Sequence, residues 1–252
     1  NLNKDIRLSN DDLSILKKAL KQGDKGKWSR SLNLSKKSQD SIVKKIVEWR
    51  WLSSHDGIAS FEKTQSFYIN NPSWPKRNAI RKNLENRLIN NNSIKNLLWF
   101  QKYPPISGQG KIKFAESLIK NNFLVSGNWL IRRAWIEHNF SFSEEKYLLK
   151  KYKQIISSED HNKRLDRLIW QRTWGSAKRQ LKRVKNDIKK LGEARIILAR
   201  RRSNADKAVS EVPSSLKNNE SLVYERVRWR RKAGLRDTSM ELLLNYKNEF
   251  SY

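Results

Sequence analysis

Apolar residues recur along this chain at three- and four-residue spacing, interrupted by short polar breaks. The clearest stretch runs from Trp129 to Val184. Leu165, Leu168 and Ile169 fall on one helical face. After a break at Thr173-Trp174-Gly175, so do Trp174, Ala177, Leu181 and Val184. That spacing predicts two amphipathic helices, and a tight turn between them predicts an αα-hairpin. Neither helix buries its stripe alone, so each needs neighbours of the same kind.

The rest of the chain supplies them. Ser9 or Asn10 caps a helix over Asp12–Gln22, with Leu13, Leu16 and Leu20 inward. Trp28, Ser31 and Leu32 begin a short second helix. Asp40 or Ser41 opens a third with Ile42, Ile46 and Trp49 on one face, widened by Val43 and Val47. Ile58, Phe61 and Tyr68 mark the next, which stops at Asn71-Pro72-Ser73-Trp74-Pro75. Lys76–Asn91 carries Ile80, Leu84 and Leu88, with Arg81 and Glu85 paired on its side. A short helix holds Ile94, Leu97 and Leu98. It ends at Tyr103-Pro104-Pro105, and Gly108 and Gly110 finish that loop. Lys111–Asn121 follows. Beyond Val184 come helices over Leu191–Arg202, Ala205–Glu211, Leu216–Lys232 and Thr238–Asn248.

All five prolines fall in these connections, and no period-two strand is visible. The pattern predicts an all-α chain of about a dozen helices. Units recur every ~30–45 residues without strict identity, the mark of an α-superhelix or solenoid of degenerate helical hairpins. Trp28 with Ser31 and Trp174 with Ala177 share one layout, an aromatic after a turn and a small residue three on. The small residue lets a neighbouring helix approach closely. The 252 residues suffice for one elongated domain or two compact ones. The solenoid reading favours one domain over 1–252.

Composition changes the picture mainly through charge. Lys and Arg number 54 against 25 Asp and Glu, a net charge of +29. Such a charge invites a polyanion: nucleic acid, an anionic membrane face or an acidic polymer. Lys, Asn and Ile, all abundant here, also have A/T-rich codons, so genome composition supplies part of the lysine. The cations are spread over nearly every helix, without the charge block or reading helix of a nucleic-acid binder. Nucleic-acid binding is expected to be non-specific. Cysteine is absent, which excludes disulfides and cysteine-based zinc sites. No run of about 18 apolar residues exists, so no transmembrane segment is expected. The chain opens on Asn1, which suggests a removed leader or a trimmed front.

Candidate chemistry is sparse. His55, His138 and His161 share no metal-ligand spacing, and the nine glycines punctuate helices without forming a phosphate loop. Glu144 and Glu145 follow Ser143 in a helix first turn, where capping and dipole compensation explain them. Among the ten tryptophans, Trp49, Trp129 and Trp174 read as core and Trp74 as a loop plug. Trp135, Trp170 and Trp229 neighbour arginines and could face a groove. No catalytic residue, cofactor or metal is expected.

Several segments, in order, resemble the N-terminal superhelical region of the soluble lytic murein transglycosylases of Gram-negative bacteria. The resemblance lies in Asn71-Pro72-Ser73-Trp74-Pro75 with Arg81 and Glu85, in Trp99-Phe100 with Tyr103-Pro104-Pro105, and in Ile131-Arg132-Arg133-Ala134-Trp135. It is densest in Ser158-Glu159-Asp160-His161 with Arg164, Asp166, Arg167 and Trp170. It closes with Ala194-Arg195-Ile196, Val212-Pro213 and Tyr224-Glu225-Arg226-Val227-Arg228-Trp229. It covers roughly Trp28 to Leu244.

The resemblance implies a U- or ring-shaped α-superhelix in the periplasm, ordinarily followed by a lysozyme-like catalytic domain. That domain cleaves the MurNAc–GlcNAc bond of peptidoglycan and leaves a 1,6-anhydro end. One glutamate there acts as acid and then base. The family's catalytic domain carries a Glu-Ser pair followed by a Gly-Leu-Met-Gln type motif. Here Glu116-Ser117 and Glu220-Ser221 lack that sequel, and Met240 lies between Ser239 and Glu241. The expectation is therefore a non-catalytic superhelical part, inactive alone; the alternative is a basic helical-repeat adaptor that binds protein or nucleic acid in its concave face. The implied partners of the superhelical part are peptidoglycan and a catalytic domain of the same parent chain. Its docking surface is expected around Arg226, Trp229, Arg230 and Arg231, near the end of the superhelix.

Overall fold

The computed structural model describes residues 8–88 and 93–246. Among these residues the chain is all-α, with fifteen α-helices, two 3-10 turns and no strand. It divides into two compact units, Asn1–Gly127 and Asn128–Tyr252. The first contains α1 (Asn10–Gly23), α2 (Trp28–Ser35), α3 (Ser41–Ser53), α4 (Phe61–Asn70), α5 (Arg77–Arg87), α6 (Ser93–Lys102) and α7 (Gly108–Lys120). The boundary falls within α8 (Leu124–Glu137). The second unit continues with α9 (Phe142–Lys151), α10 (Ser158–Trp170), α11 (Trp174–Gln180) and α12 (Asn186–Ala199). It ends with α13 (Ala205–Ser210), α14 (Glu220–Lys232) and α15 (Arg236–Leu244).

One corner joins several helix pairs. After α1, α7, α10, α12 and α14 a residue turns left-handed: Gly26, Asn122, Arg172, Arg201 and Gly234. The next amide then donates to a carbonyl five residues back, as in Lys27 to Gln22, Phe123 to Leu118, Thr173 to Leu168, Arg202 to Ile197 and Leu235 to Arg230. This closure satisfies helix-end carbonyls. Five residues past the left-handed position sits a buried small residue in four of these corners: Ser31, Gly127, Ala177 and Ser239. Each lies opposite the residue twelve positions earlier in the hairpins where a contact is resolved. Ser31 Oγ donates to Ala19 O at 2.7 Å, and Ser239 Oγ to Val227 O at 3.4 Å. A Cβ on Gly127 would stand 3.0 Å from Ala115 O. The small residues thus bring paired helices together at the start of each second helix.

The apolar core follows the spacing. In the first unit Leu52, Phe67 and Ile80 form one cluster, and Leu84, Leu88, Trp99 and Phe100 another. Trp74 plugs the first of these, edge-on to Phe67 at 5.7 Å and tilted against Trp49 at 5.9 Å. In the second unit Leu165, Leu168, Ile169, Ala177 and Leu181 pack together. Leu191, Ala194, Leu198, Ala205 and Leu222 belong to a further cluster there.

Several expected boundaries shift. The stripe from Trp174 to Val184 is α11 followed by a 3-10 turn over Leu181–Arg183. The helix expected over Leu216–Lys232 starts at Glu220, where Asn219 accepts from Leu222 N, and a 3-10 turn precedes it. Gly108 and Gly110 lie inside the first turn of α7 rather than in a loop. Ile58 precedes α4 and is 87% exposed. Leu13 is exposed, and α1 instead buries Asp12, Ala19 and Gly23. The ends expected at Asn91 and Asn248 lie outside the described residues.

Buried and half-buried cations close many helix ends. Arg77 donates to the carbonyls of Tyr68 and Asn71 after α4, at 3.0 and 3.1 Å. Arg81 reaches the carbonyls of Tyr103 and Pro104 after α6. Lys113 reaches Asn86 and Leu88 at the end of α5. Arg164 reaches Trp135 and His138, and Arg167 reaches Ile136 and His138, at the end of α8. Orphan carbonyls and the negative end of a helix dipole both favour a cation there. Part of the +29 is therefore structural.

Candidate functional site

The α14–α15 hairpin carries the candidate site. Gly234 sits at φ +83, a conformation that a Cβ disfavours, and folds α15 back along α14. Ser239, 3% exposed, lets the two helices close. On α14, Tyr224, Val227, Arg228 and Arg231 recur at three- and four-residue spacing. On α15, Arg236, Ser239, Met240 and Leu243 do the same. These two stripes face one groove of ≈ 710 Å³. It is lined by the apolar Tyr224, Val227, Met240 and Leu243 and by the cationic Arg228, Arg231, Lys232 and Arg236. Among the described residues no acidic side chain lines it.

The groove continues onto an aromatic pair. Trp170 and Tyr224 lie 4.9 Å apart, tilted by 51°, and are 41% and 42% exposed. Beneath them Glu225 is fully buried and ion-paired to Arg172 at 2.6 Å, with Arg228 at 3.6 Å. Arg195 stacks over Trp170 at 5.5 Å and binds Asp166 at 2.6 Å. Burial pushes the Arg195 guanidinium down from its ordinary value, and Asp166 and Glu225 oppose that shift. These ion pairs tie α10 to α12 through Asp166 and Arg195, and α14 to the corner after α10 through Glu225 and Arg172.

The four residues expected as a docking surface do not gather there. Arg231 lines the groove. Arg230 turns to the corner and donates to Thr238 O at 2.8 Å. Trp229 packs half-buried on the core that includes Leu191 and Leu222. Arg226 points elsewhere: burial lowers its pKa, Arg230 adds to the shift and Asp206 opposes it. Arg226, Trp229 and Arg230, three and four residues apart, share one face of α14, whereas Arg231, about 100° on from Arg230, falls on the face that lines the groove. Tyr224 and Arg228 appeared only within the resembling segment, while Lys232, Arg236 and Leu243 went unremarked as site residues. Their signal was the paired stripe on two helices.

The other candidates have structural partners. Trp135 is fully buried under Arg164, whose guanidinium stands 4.1 Å from its ring, while Trp129 is 60% exposed rather than core. Glu144 completes a capping box with Ser141, so the cap is Ser141 and not Ser143. Glu145 does more than compensate a dipole. It is fully buried and binds Arg164, Arg179 and Arg183 at 2.9 to 3.2 Å. Burial works to raise its carboxyl, but Arg179's hydrogen bonds and the three positive charges outweigh it and hold the group below the usual range.

Both Glu-Ser pairs lie in helices. Ser117 donates to Lys113 O at 2.9 Å, and Ser221 to Asp166 at 3.4 Å. Among the described residues no three His, Asp or Glu side chains gather as metal ligands, and no helix is long and apolar enough to cross a membrane. Comparison of the chain with protein-family models, with curated proteins and with solved structures returned no match.

Proposed function

We propose that this chain is a non-catalytic binding module of the lytic-transglycosylase type, a superhelix of helical hairpins that holds peptidoglycan in the periplasm. The observation that carries the reading is the α14–α15 groove, lined among the described residues by cationic and apolar side chains and by no acid. A glycan strand presents apolar pyranose faces, which suit the rings of Trp170 and Tyr224. Its peptide stems present carboxylates, which suit guanidinium forks such as those of Arg228 and Arg231. The recurring corner with its small residue supports a hairpin-repeat architecture. The resemblance is what supports the compartment, the polymer and a catalytic domain of the parent chain as partner.

The test is pelleting with purified sacculi. The variant Tyr224→Ala/Arg231→Gln/Arg236→Gln changes exposed positions and should keep its helicity. It should lose most sacculus binding at low salt, where the parent pellets. The chain alone should release no anhydro-muropeptides. Parent-like pelleting of the triple variant, with loss of a sequence-selective DNA complex instead, would favour a nucleic-acid adaptor. Binding to DNA without sequence preference, steeply weakened by salt, is what the net charge alone supplies.

A further inference from the structure

The 252 residues contain no cysteine and one methionine, so the Met240 thioether is their only sulfur group. With no thiol in the chain, it is the group that a mild peroxide attacks first. Met240 is 58% exposed, so a dissolved oxidant reaches it directly. It also lines the α14–α15 groove. Ser239, the residue before it, is buried and donates to Val227 O, which holds this turn of α15 against α14. Arg236 lies one turn before Met240 and Leu243 one turn after, and both line the same groove. Arg231 lines it from α14. Neither Arg231 nor Arg236 has a side-chain hydrogen-bond or ion-pair partner among the described residues. The groove thus combines one oxidisable apolar contact with two guanidiniums still open to an acceptor.

Oxidation changes what this position offers. A sulfur lone pair attacks one oxygen of hydrogen peroxide. The O–O bond breaks as the S–O bond forms, and the departing hydroxide takes the remaining proton and leaves as water. The sulfur loses two electrons and the peroxide gains them. The product is a sulfoxide, polar where the thioether was apolar. The groove loses an apolar contact to a ligand. It gains an internal acceptor one helical turn from Arg236, where it competes with a ligand's carboxylate for that guanidinium. A methionine sulfoxide reductase, drawing two electrons from a dithiol, returns the thioether and releases the oxygen as water. We infer that Met240 is a reversible oxidation site that switches the α14–α15 groove to a weakly binding form. The inference rests on the function proposed above for that groove.

The experiment treats the whole chain with dilute hydrogen peroxide and follows two readouts, mass mapping and sacculus pelleting. Mapping should find one added oxygen, at Met240. The oxidised chain should keep its helicity and need about tenfold more protein to half-saturate a fixed amount of sacculi, a loss of ~1.4 kcal/mol. Reductase with dithiothreitol should restore the original midpoint. Met240→Leu has no thioether, and its midpoint, whatever its value, should be the same before and after peroxide. Met240→Gln places an amide oxygen at this position and should bind about tenfold more weakly than Met240→Leu without any oxidant. A parent that pellets with the same midpoint before and after oxidation overturns this inference alone. So does a Met240→Leu chain that weakens in peroxide, an oxidised parent that loses helicity, or equal midpoints for Met240→Gln and Met240→Leu. A folded parent that takes up no oxygen at Met240 overturns it too. An untreated parent that does not pellet overturns the proposed function as well.

Discussion

Glu85 and Glu145 are fully buried glutamates, one in each unit, and they are stabilised by different means. Glu85 accepts from Arg81 at 3.2 Å, but its other donors are neutral: the amides of Ile106 and Ser107 at 2.9 Å and Ser107 Oγ at 2.5 Å. These donors lead into α7, whose N-terminal dipole favours an anion. Gly110 keeps the approach open. Glu145 sits in the first turn of its own helix, α9, and is paired instead with Arg164, Arg179 and Arg183. Otherwise the two sites are alike. Each has an arginine against a tryptophan, Arg81 at Trp99 and Arg164 at Trp135, donating to carbonyls just past a helix. The lesson is that a buried carboxylate tolerates either oriented amides or paired cations, but the two solutions should fail differently.

The largest expected effect separates them. Glu145→Gln leaves buried guanidiniums without their counter-charge and should cost about 3–5 kcal/mol. Glu85→Gln keeps an acceptor before mostly neutral donors and should cost about 1–3 kcal/mol. Urea titration gives the totals, and segment-resolved hydrogen exchange assigns each loss to its unit. Equal losses would break the distinction. Gly110→Ala sharpens it from the other side. The added Cβ would stand 2.2 Å from Glu85 Oε2, and the overpacking should cost about 1–3 kcal/mol, felt in the first unit alone.

Acid should expose the same difference. Burial, then the charge of Arg183, lowers the His161 pKa; Asp160 opposes the shift and Arg164 adds to it. Glu145 is lowered as well. A group depressed on folding contributes stability that is present above its unfolded pKa and lost as pH falls through the folded one. The second unit should therefore weaken below about pH 6.5 as His161 is forced to charge, and again below about pH 4.5 as Glu145 takes a proton. His161→Gln should remove the first step. Segment-resolved exchange between pH 7 and pH 4 would show whether it does.

The smallest effects test whether pairing to a buried carboxylate dominates at a corner too. Arg172 and Arg201 both occupy left-handed corners, which cost a side chain about 1–2 kcal/mol. Arg201→Gly should stabilise by about 0.5 kcal/mol, the strain relieved less the added freedom of the unfolded chain. Arg172→Gly should destabilise instead, because Glu225 loses its closest partner. Matching changes in melting temperature for the two would mean that the Glu225 pair contributes little.

The helices were legible in the sequence because their cause is local. Apolar spacing, capping residues such as Ser9 and Asp40, and prolines in connections act over about four residues. The two hairpins marked by Trp28 with Ser31 and Trp174 with Ala177 were legible for the same reason. The candidate site was not. Arg226, Trp229, Arg230 and Arg231 are neighbours in sequence, whereas the groove joins Tyr224 and Arg231 to Arg236 and Leu243 across a turn. Glu145 read as a first-turn acid, and its partners lie 19, 34 and 38 residues away. Asp12 read as a helix start, yet it is buried against Ser38 and Gln39 on the far side of α2. Short-range sterics and hydrogen bonding thus determined what each segment became. Which charges were buried, and which apolar stripes stayed open, was decided when the hairpins packed, because pairing across dozens of residues leaves no periodic trace along the chain.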